Sequence, residues 1–130
     1  MKIKLFLIFL LCSFITGCGL ETKTLSEFYE KGLEDVTQIN ILDGSTGYKK
    51  IIKDKELIDD FLSQIKDTQF IPEKNQEDQS GFTYSLSLHQ EGEFPFRFSL
   101  SSVNDHYYYT HPDLFPIVDD FYKNLEVQEE

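Results

Sequence analysis

The chain of 130 residues has no tryptophan, one methionine and two cysteines. Cys12 lies inside an apolar run near the N-terminus and Cys18 closes that run. A disulfide framework of the kind small exported domains lean on is therefore excluded, and any exported fold must rest on apolar burial. Zinc sites of the finger type fail as well, because no cysteine pair accompanies His89, His106 and His111. Positive charge is scarce: 12 Lys and Arg face 23 Asp and Glu, a formal net charge of −11. Nucleic-acid binding needs a basic footprint, which is missing, and so is the basic patch that would hold a protein to anionic lipid. The chain also has no internal repeat, no long low-complexity segment and no Gly-x-Ser-x-Gly nucleophile elbow.

What is present begins at Leu5. Leu5 to Cys18 is an apolar stretch preceded by Lys2 and Lys4, with small residues at its end, the build of a secretory signal. At about 1.5 Å per residue it is too short to cross a bilayer core of about 30 Å as a helix. Its last residues, Ile15-Thr16-Gly17-Cys18, resemble the lipobox of bacterial lipoproteins. The resemblance implies cleavage between Gly17 and Cys18, a diacylglyceryl group on the Cys18 sulfur, and a place on the extracytoplasmic face of the cell membrane. Residues 1–17 then form the signal, 18–24 the lipidated cysteine and a short tether, 25–126 one domain, and 127–130 an acidic tail expected to fray. Losing Lys2 and Lys4 leaves 113 residues with ten basic and 23 acidic side chains, a balance of −13. Such a surface suits solubility or a cationic partner.

Within the domain, Thr24-Leu-Ser-Glu27 is a capping box for a two-turn helix carrying Leu25, Phe28 and Tyr29, with Gly32 as its expected stop. Val36 to Leu42 alternates as a strand, Asp43-Gly-Ser-Thr-Gly47 is dense turn chemistry, and Tyr48 to Lys53 returns as a second strand. Asp54 caps a helix over residues 55–67 whose stripe is Leu57, Ile58, Phe61, Leu62 and Ile65. Gln69 to Pro72 reads as a short strand, and residues 73–81 form a loop without one apolar residue.

Phe82, Tyr84, Leu86 and Leu88 alternate with polar residues, and so do Phe94, Phe96, Phe98 and Leu100. This is a hairpin, and a three-residue loop at Gln90-Glu91-Gly92 predicts Leu88 opposite Phe94 and Leu86 opposite Phe96. Pro95, lacking an N–H, belongs at an edge or beyond the next strand's pairing. Val103-Asn104-Asp105 is expected to turn into a third, aromatic strand over 106–110, and Asp113 to cap a last helix with stripe Leu114, Val118, Phe121, Tyr122 and Leu125. The outward face would show Thr83, Ser85, Ser87, Arg97, Ser99 and Ser101, too polar to dock a second layer. The fold class is α+β: a mainly antiparallel sheet with helices on one face and the other face exposed to solvent.

Candidate chemistry is thin. Asp59-Asp60 and Asp119-Asp120 sit on wet helix faces about 100° apart, a poor chelate. Glu73, Glu77 and Asp78 lack the ligand spacing of an EF-hand, and no Lys or helix start follows Asp43-Gly-Ser-Thr-Gly47, as a phosphate loop would need. A small hydrolase would have to gather His106, His111 and Asp113. No catalytic residue, metal or cofactor is assigned. The aromatic strand offers a partner surface instead: Tyr108 among Arg97, Ser85 and Ser99 has the composition of a protein- or glycan-binding face.

Phe28-Tyr29, Ile39-x-Ile41-x-x-Gly44-x-x-Gly47, an amphipathic helix and Gly81-x-x-Tyr84 together look like small uncharacterised lipoproteins of Gram-positive bacteria, of the YhfM type. The resemblance rests on core and turn positions, and implies fold and location. The expected function is a non-catalytic, membrane-anchored binding or accessory module, read as a monomer. The alternative is an inhibitor or immunity-type lipoprotein that neutralises a cationic peptide or lytic enzyme.

Overall fold

The computed structural model describes residues 19–77 and 81–130; the signal segment with Gly17 and Cys18, and Asp78 of the polar loop, lie outside the described residues. In chain order the elements are β1 (Lys23–Thr24), α1 (Leu25–Tyr29), a 3-10 turn (Leu33–Asp35), β2 (Gln38–Asp43), β3 (Lys49–Ile52), α2 (Lys55–Ile65), β4 (Gln69–Pro72), β5 (Tyr84–His89), β6 (Phe96–Ser99), β7 (Ser102–Val103), β8 (His106–His111) and α3 (Leu114–Asn124). The strands make one antiparallel sheet in the order β1-β4-β8-β7-β6-β5-β2-β3. The fold is α+β. After the β2–β3 hairpin, α2 carries the chain to β4 near the opposite edge, and the β5–β8 meander fills the space between. No helix among the described residues is long and apolar enough to cross a membrane.

Each helix starts at a side-chain cap. Thr24 and Glu27 satisfy each other's free amides, Asp54 accepts from Glu56 and Leu57, and Asp113 accepts from Phe115. α1 stops earlier than expected. Glu30 takes the left-handed conformation, φ 63°, and its N–H closes on the Ser26 carbonyl, while Gly32 leads into the 3-10 turn. In α2 the buried stripe is Ile58, Phe61, Leu62 and Ile65, and Leu57 faces solvent. The fold begins at Lys23 rather than residue 25, because Lys23 and Thr24 pair with Phe70 and Gln69.

All three helices cover one face of the sheet and share one core with Ile39, Ile41, Phe70, Leu86, Leu88 and Phe98. Phe61 stacks on Phe121 at 4.1 Å between ring centres. Phe70 is the hub of the other half, edge-on to Phe28, Phe98 and Tyr108 at 5.6, 6.0 and 6.3 Å.

Three further expectations are corrected. The β5–β6 register places Leu88 opposite Phe96 and Leu86 opposite Phe98, a slip of two residues from the predicted pairing. Such a slip keeps every apolar side chain on its face, so alternation does not distinguish the two registers. The longer loop moves Pro95 out of the ladder and leaves Phe94 almost fully exposed. Its turn runs from Gln90 to Glu93 with Gly92 at φ 78°, and it is held by Tyr29 of α1, whose Oη donates to Gln90 Oε1 at 2.8 Å, and by Lys31 just beyond α1, paired with Glu93 at 2.5 Å. Val103 belongs to β7, and the turn is Asn104-Asp105 alone, both at positive φ, the geometry of a two-residue hairpin loop. Finally, the acidic tail does not fray: Glu130 and Lys49 exchange backbone hydrogen bonds at 2.8 and 3.0 Å.

Candidate functional site

Of the four residues expected to form a partner surface, the structure brings three together and removes the fourth. Ser85 and Ser99 sit directly opposite one another across β5 and β6, with Arg97 exposed two residues along. Tyr108 is in the core, 4% exposed. Its place in β8 opposite Pro72 turns it toward the helices, where the Phe28 ring meets it edge-on at 5.5 Å. Burial raises its phenol pKa. Tyr107, one position earlier and so on the other face, takes the place expected for Tyr108. It lines an open basin of about 560 Å³ with Ser85, Arg97, Ser99 and Ser101. Ser99 is itself buried, its Oγ 2.7 Å from the Ser102 hydroxyl.

The other candidates separate. His106 and His111 begin and end β8, five strand steps or about 17 Å apart, and Asp113 is committed to capping α3. These three do not form a common centre. Asp120 accepts from Asn124, Asp59 pairs with Lys55 at 2.9 Å, and Asp43 organises its own turn. Among the described residues, no three His, Cys, Asp or Glu side chains gather as a metal site would.

A second concavity has a sharper chemistry. It lies where β2 ends, β5 begins and α3 starts, holds about 310 Å³, and is lined by Asp43, Gly44, Phe82, Tyr84, Phe115 and Asp119. Asp43 and Tyr84 are direct partners across β2 and β5. Gly44 makes the approach possible: its N–H donates to the Thr83 carbonyl at 2.9 Å, and a Cβ there would stand 2.0 Å from the Phe82 carbonyl oxygen. Phe82 and Phe115 are 41% and 42% exposed, and the Phe115 ring tilts against Tyr84 at 6.1 Å.

The polar groups of this cleft are tightly arranged. Tyr84 Oη donates to Asp119 Oδ1 at 2.6 Å, and Lys123 Nζ reaches Asp119 Oδ2 at 2.9 Å. Asp43 Oδ1 accepts from the Ser45 N–H at 2.9 Å and the Ser45 hydroxyl at 2.7 Å. The Tyr84 hydrogen bond, then Lys123, hold the Asp119 carboxyl below its ordinary range, and the Ser45 hydroxyl does the same for Asp43. The Tyr84 phenol is driven strongly upward, first by burial, then by its bond to Asp119 and by the charges of Asp119 and Asp43. The cleft thus combines two carboxylates, one of them paired with Lys123, and an aromatic wall.

Nothing in the sequence reading isolated this cleft. Its one local sign is Phe115, an aromatic that falls off the apolar stripe of α3 beside Leu114. Lys50 was missed too. It lies on the core face of β3 opposite Ile41, is 6% exposed, and donates from Nζ to the carbonyls of Tyr122 and Leu125 at 2.6 and 3.1 Å. Comparison with protein-family models, with curated proteins and with solved structures finds no match to this chain.

Proposed function

We propose that the protein is a lipoprotein of the extracytoplasmic face of the cell membrane, anchored through Cys18 and acting as a non-catalytic binding or accessory module. The observation that carries this reading is the apolar run Leu5 to Cys18 with its terminal Ile15-Thr16-Gly17-Cys18. On this reading the domain sits close to its anchor. Ordered pairing starts at Lys23, so four residues, Gly19 to Thr22, separate the modified cysteine from the sheet. Fully extended they reach about 14 Å, which keeps a monomeric domain against the headgroups. Metabolic labelling with a fatty acid tests the reading. The parent chain incorporates label and Cys18→Ala does not; an unlabelled parent chain overturns it. Labelling, rather than membrane retention, is the decisive readout, because an uncleaved signal would also hold the protein at the membrane.

A second reading, that the partner is a cationic peptide or lytic enzyme, is favoured by the balance of −13 and by the two carboxylates at the aromatic cleft. No nucleic-acid partner belongs to either.

A further inference from the structure

We propose that the cleft between β2, β5 and the first turn of α3 receives a basic side chain, the guanidinium of an arginine or the ammonium of a lysine, presented by a cationic peptide. The proposal rests on the reading of the domain as a binding module and supplies the residues that would do the binding.

The fit is chemical and geometric. A concavity of about 310 Å³ has room for one long side chain and stands at the lower end of the roughly 300–1,000 Å³ that organic ligands fill. Its wall is aromatic. Phe82 and Phe115 expose large ring areas that the core does not use, and the buried Tyr84 ring lies against Phe115. An aromatic face attracts a cation placed over it, and the aliphatic stem of Lys or Arg covers the apolar area that remains. Asp43 and Asp119 stand at the rim. The hydrogen bonds from Ser45 and from Tyr84 favour the ionised form of both, and the Asp119 charge is offered in full once Lys123 is displaced from it.

The rim also distinguishes among cations. Carboxylate oxygens reward a partner that donates hydrogen bonds, which guanidinium and primary ammonium do and a quaternary ammonium does not. Lys123 already illustrates the preference, since its exposed ammonium sits 2.9 Å from Asp119 Oδ2. It is a resident competitor on the same helix, four residues from the carboxylate it holds, and an incoming side chain must displace it. Diffuse attraction to the acidic surface makes a different prediction. It would respond to net charge wherever that charge lies, and it would ignore the aromatic rings.

The test is fluorescence anisotropy of a labelled hexaarginine peptide titrated with the full chain in detergent micelles at about 0.15 M salt. The peptide binds, its citrulline counterpart binds far more weakly, and tetramethylammonium does not displace it. Phe82→Ala/Phe115→Ala weakens binding about tenfold or more, whereas Phe94→Ala, which removes a still more exposed ring from the β5–β6 loop, changes nothing. Lys123→Ala tightens binding by freeing Asp119, and does so more than Lys74→Ala, which removes the same charge from the loop after β4. That comparison stands even where the double alanine variant melts early, because damage to the fold does not improve affinity. The proposal is overturned if hexaarginine does not bind, if the double variant binds like the parent, if Lys123→Ala and Lys74→Ala are indistinguishable, or if tetramethylammonium competes. Fatty-acid labelling at Cys18 is independent of all four, so the cleft can fail while the anchored module stands.

Discussion

Replacing Lys50 by methionine removes one charge from the interior and leaves the length and stem of the side chain almost unchanged. Lys50 brings a buried cation from β3 to the C-terminal end of α3. Its ammonium donates to the Tyr122 carbonyl, which also takes the long capping bond from the Leu125 N–H, and to the Leu125 carbonyl just past the helix, and it lies 4.5 Å from the centre of the Tyr122 ring. Losing hydrogen bonds from a charged donor costs about 1.5–3 kcal/mol each, and the stacked cation adds about 1 kcal/mol. Against this, the variant no longer buries an ammonium, a relief of several kcal/mol that recovers a large part of the loss. The net expectation is a destabilisation of about 2–3 kcal/mol. With about 2.1 cal/mol/K of unfolding entropy per residue over the roughly 108 residues of the fold, the melting temperature falls by about 9–13 °C. Circular dichroism melts read the shift. Native-state hydrogen exchange adds a local signature, with amides in the last turn of α3 losing more protection than those of β5. A Lys50→Met chain that melts at or above the parent refutes the reasoning. It would mean that desolvation outweighs the helix-end bonds and that the lysine is there for something other than stability.

Two other perturbations probe the remaining structure. Gly44→Ala forces a methyl toward the Phe82 backbone, which cannot swing away as a side-chain tip could, so we expect a loss of about 1–3 kcal/mol in urea unfolding and weaker hexaarginine binding in the same variant; unchanged stability would mean the β2–β3 turn yields freely. Burial is the first cause that raises the phenol pKa of Tyr29, Tyr84, Tyr108 and Tyr122. The unfolded chain releases these protons near pH 10 while the fold retains them, so their contribution to stability is whole below about pH 10 and is lost as the pH rises further. Alkaline titration followed by tyrosinate absorbance should show these four phenols ionising only as the fold melts, and a native titration superimposable on that of the denatured chain would refute this.

Most of the architecture was legible where the signal was local. Thr24 with Glu27, Asp54 and Asp113 announce three helix starts, and the alternation from Tyr84 to Leu88 marks which face of β5 is buried. The failures share a cause, which is that the deciding interaction lies far away in sequence. The β5–β6 register turns on Pro95 and on the grip of Tyr29 and Lys31 over the loop, because both registers satisfy the alternation equally. His106-Tyr-Tyr-Tyr-Thr110 is amphipathic on either parity, so only pairing with β4 and the arrival of Phe28 assign Tyr108 to the core. Lys50 reads as a solvated lysine until Tyr122 and Leu125, more than 70 residues later, present their carbonyls to it. The cleft joins Phe82 to Phe115 and Asp43 to Asp119, and no window of the sequence contains either pair.

If the proposed anchor at Cys18 is right, the two edges of the sheet carry a consequence for life on a crowded membrane. A lipid-anchored population is confined to two dimensions, where neighbouring copies meet edge to edge far more often than in free solution. Exposed strand edges are templates for polymerisation under such confinement. Here one edge is β1, two residues long and next to the tether, and the other is β3, four residues long, where Glu130 takes the outward amide and carbonyl of Lys49. Neither offers a run of free backbone long enough to recruit a strand. The sheet can therefore be held at high lateral density without zipping into ribbons, and a partner must engage its side chains rather than extend its ladder.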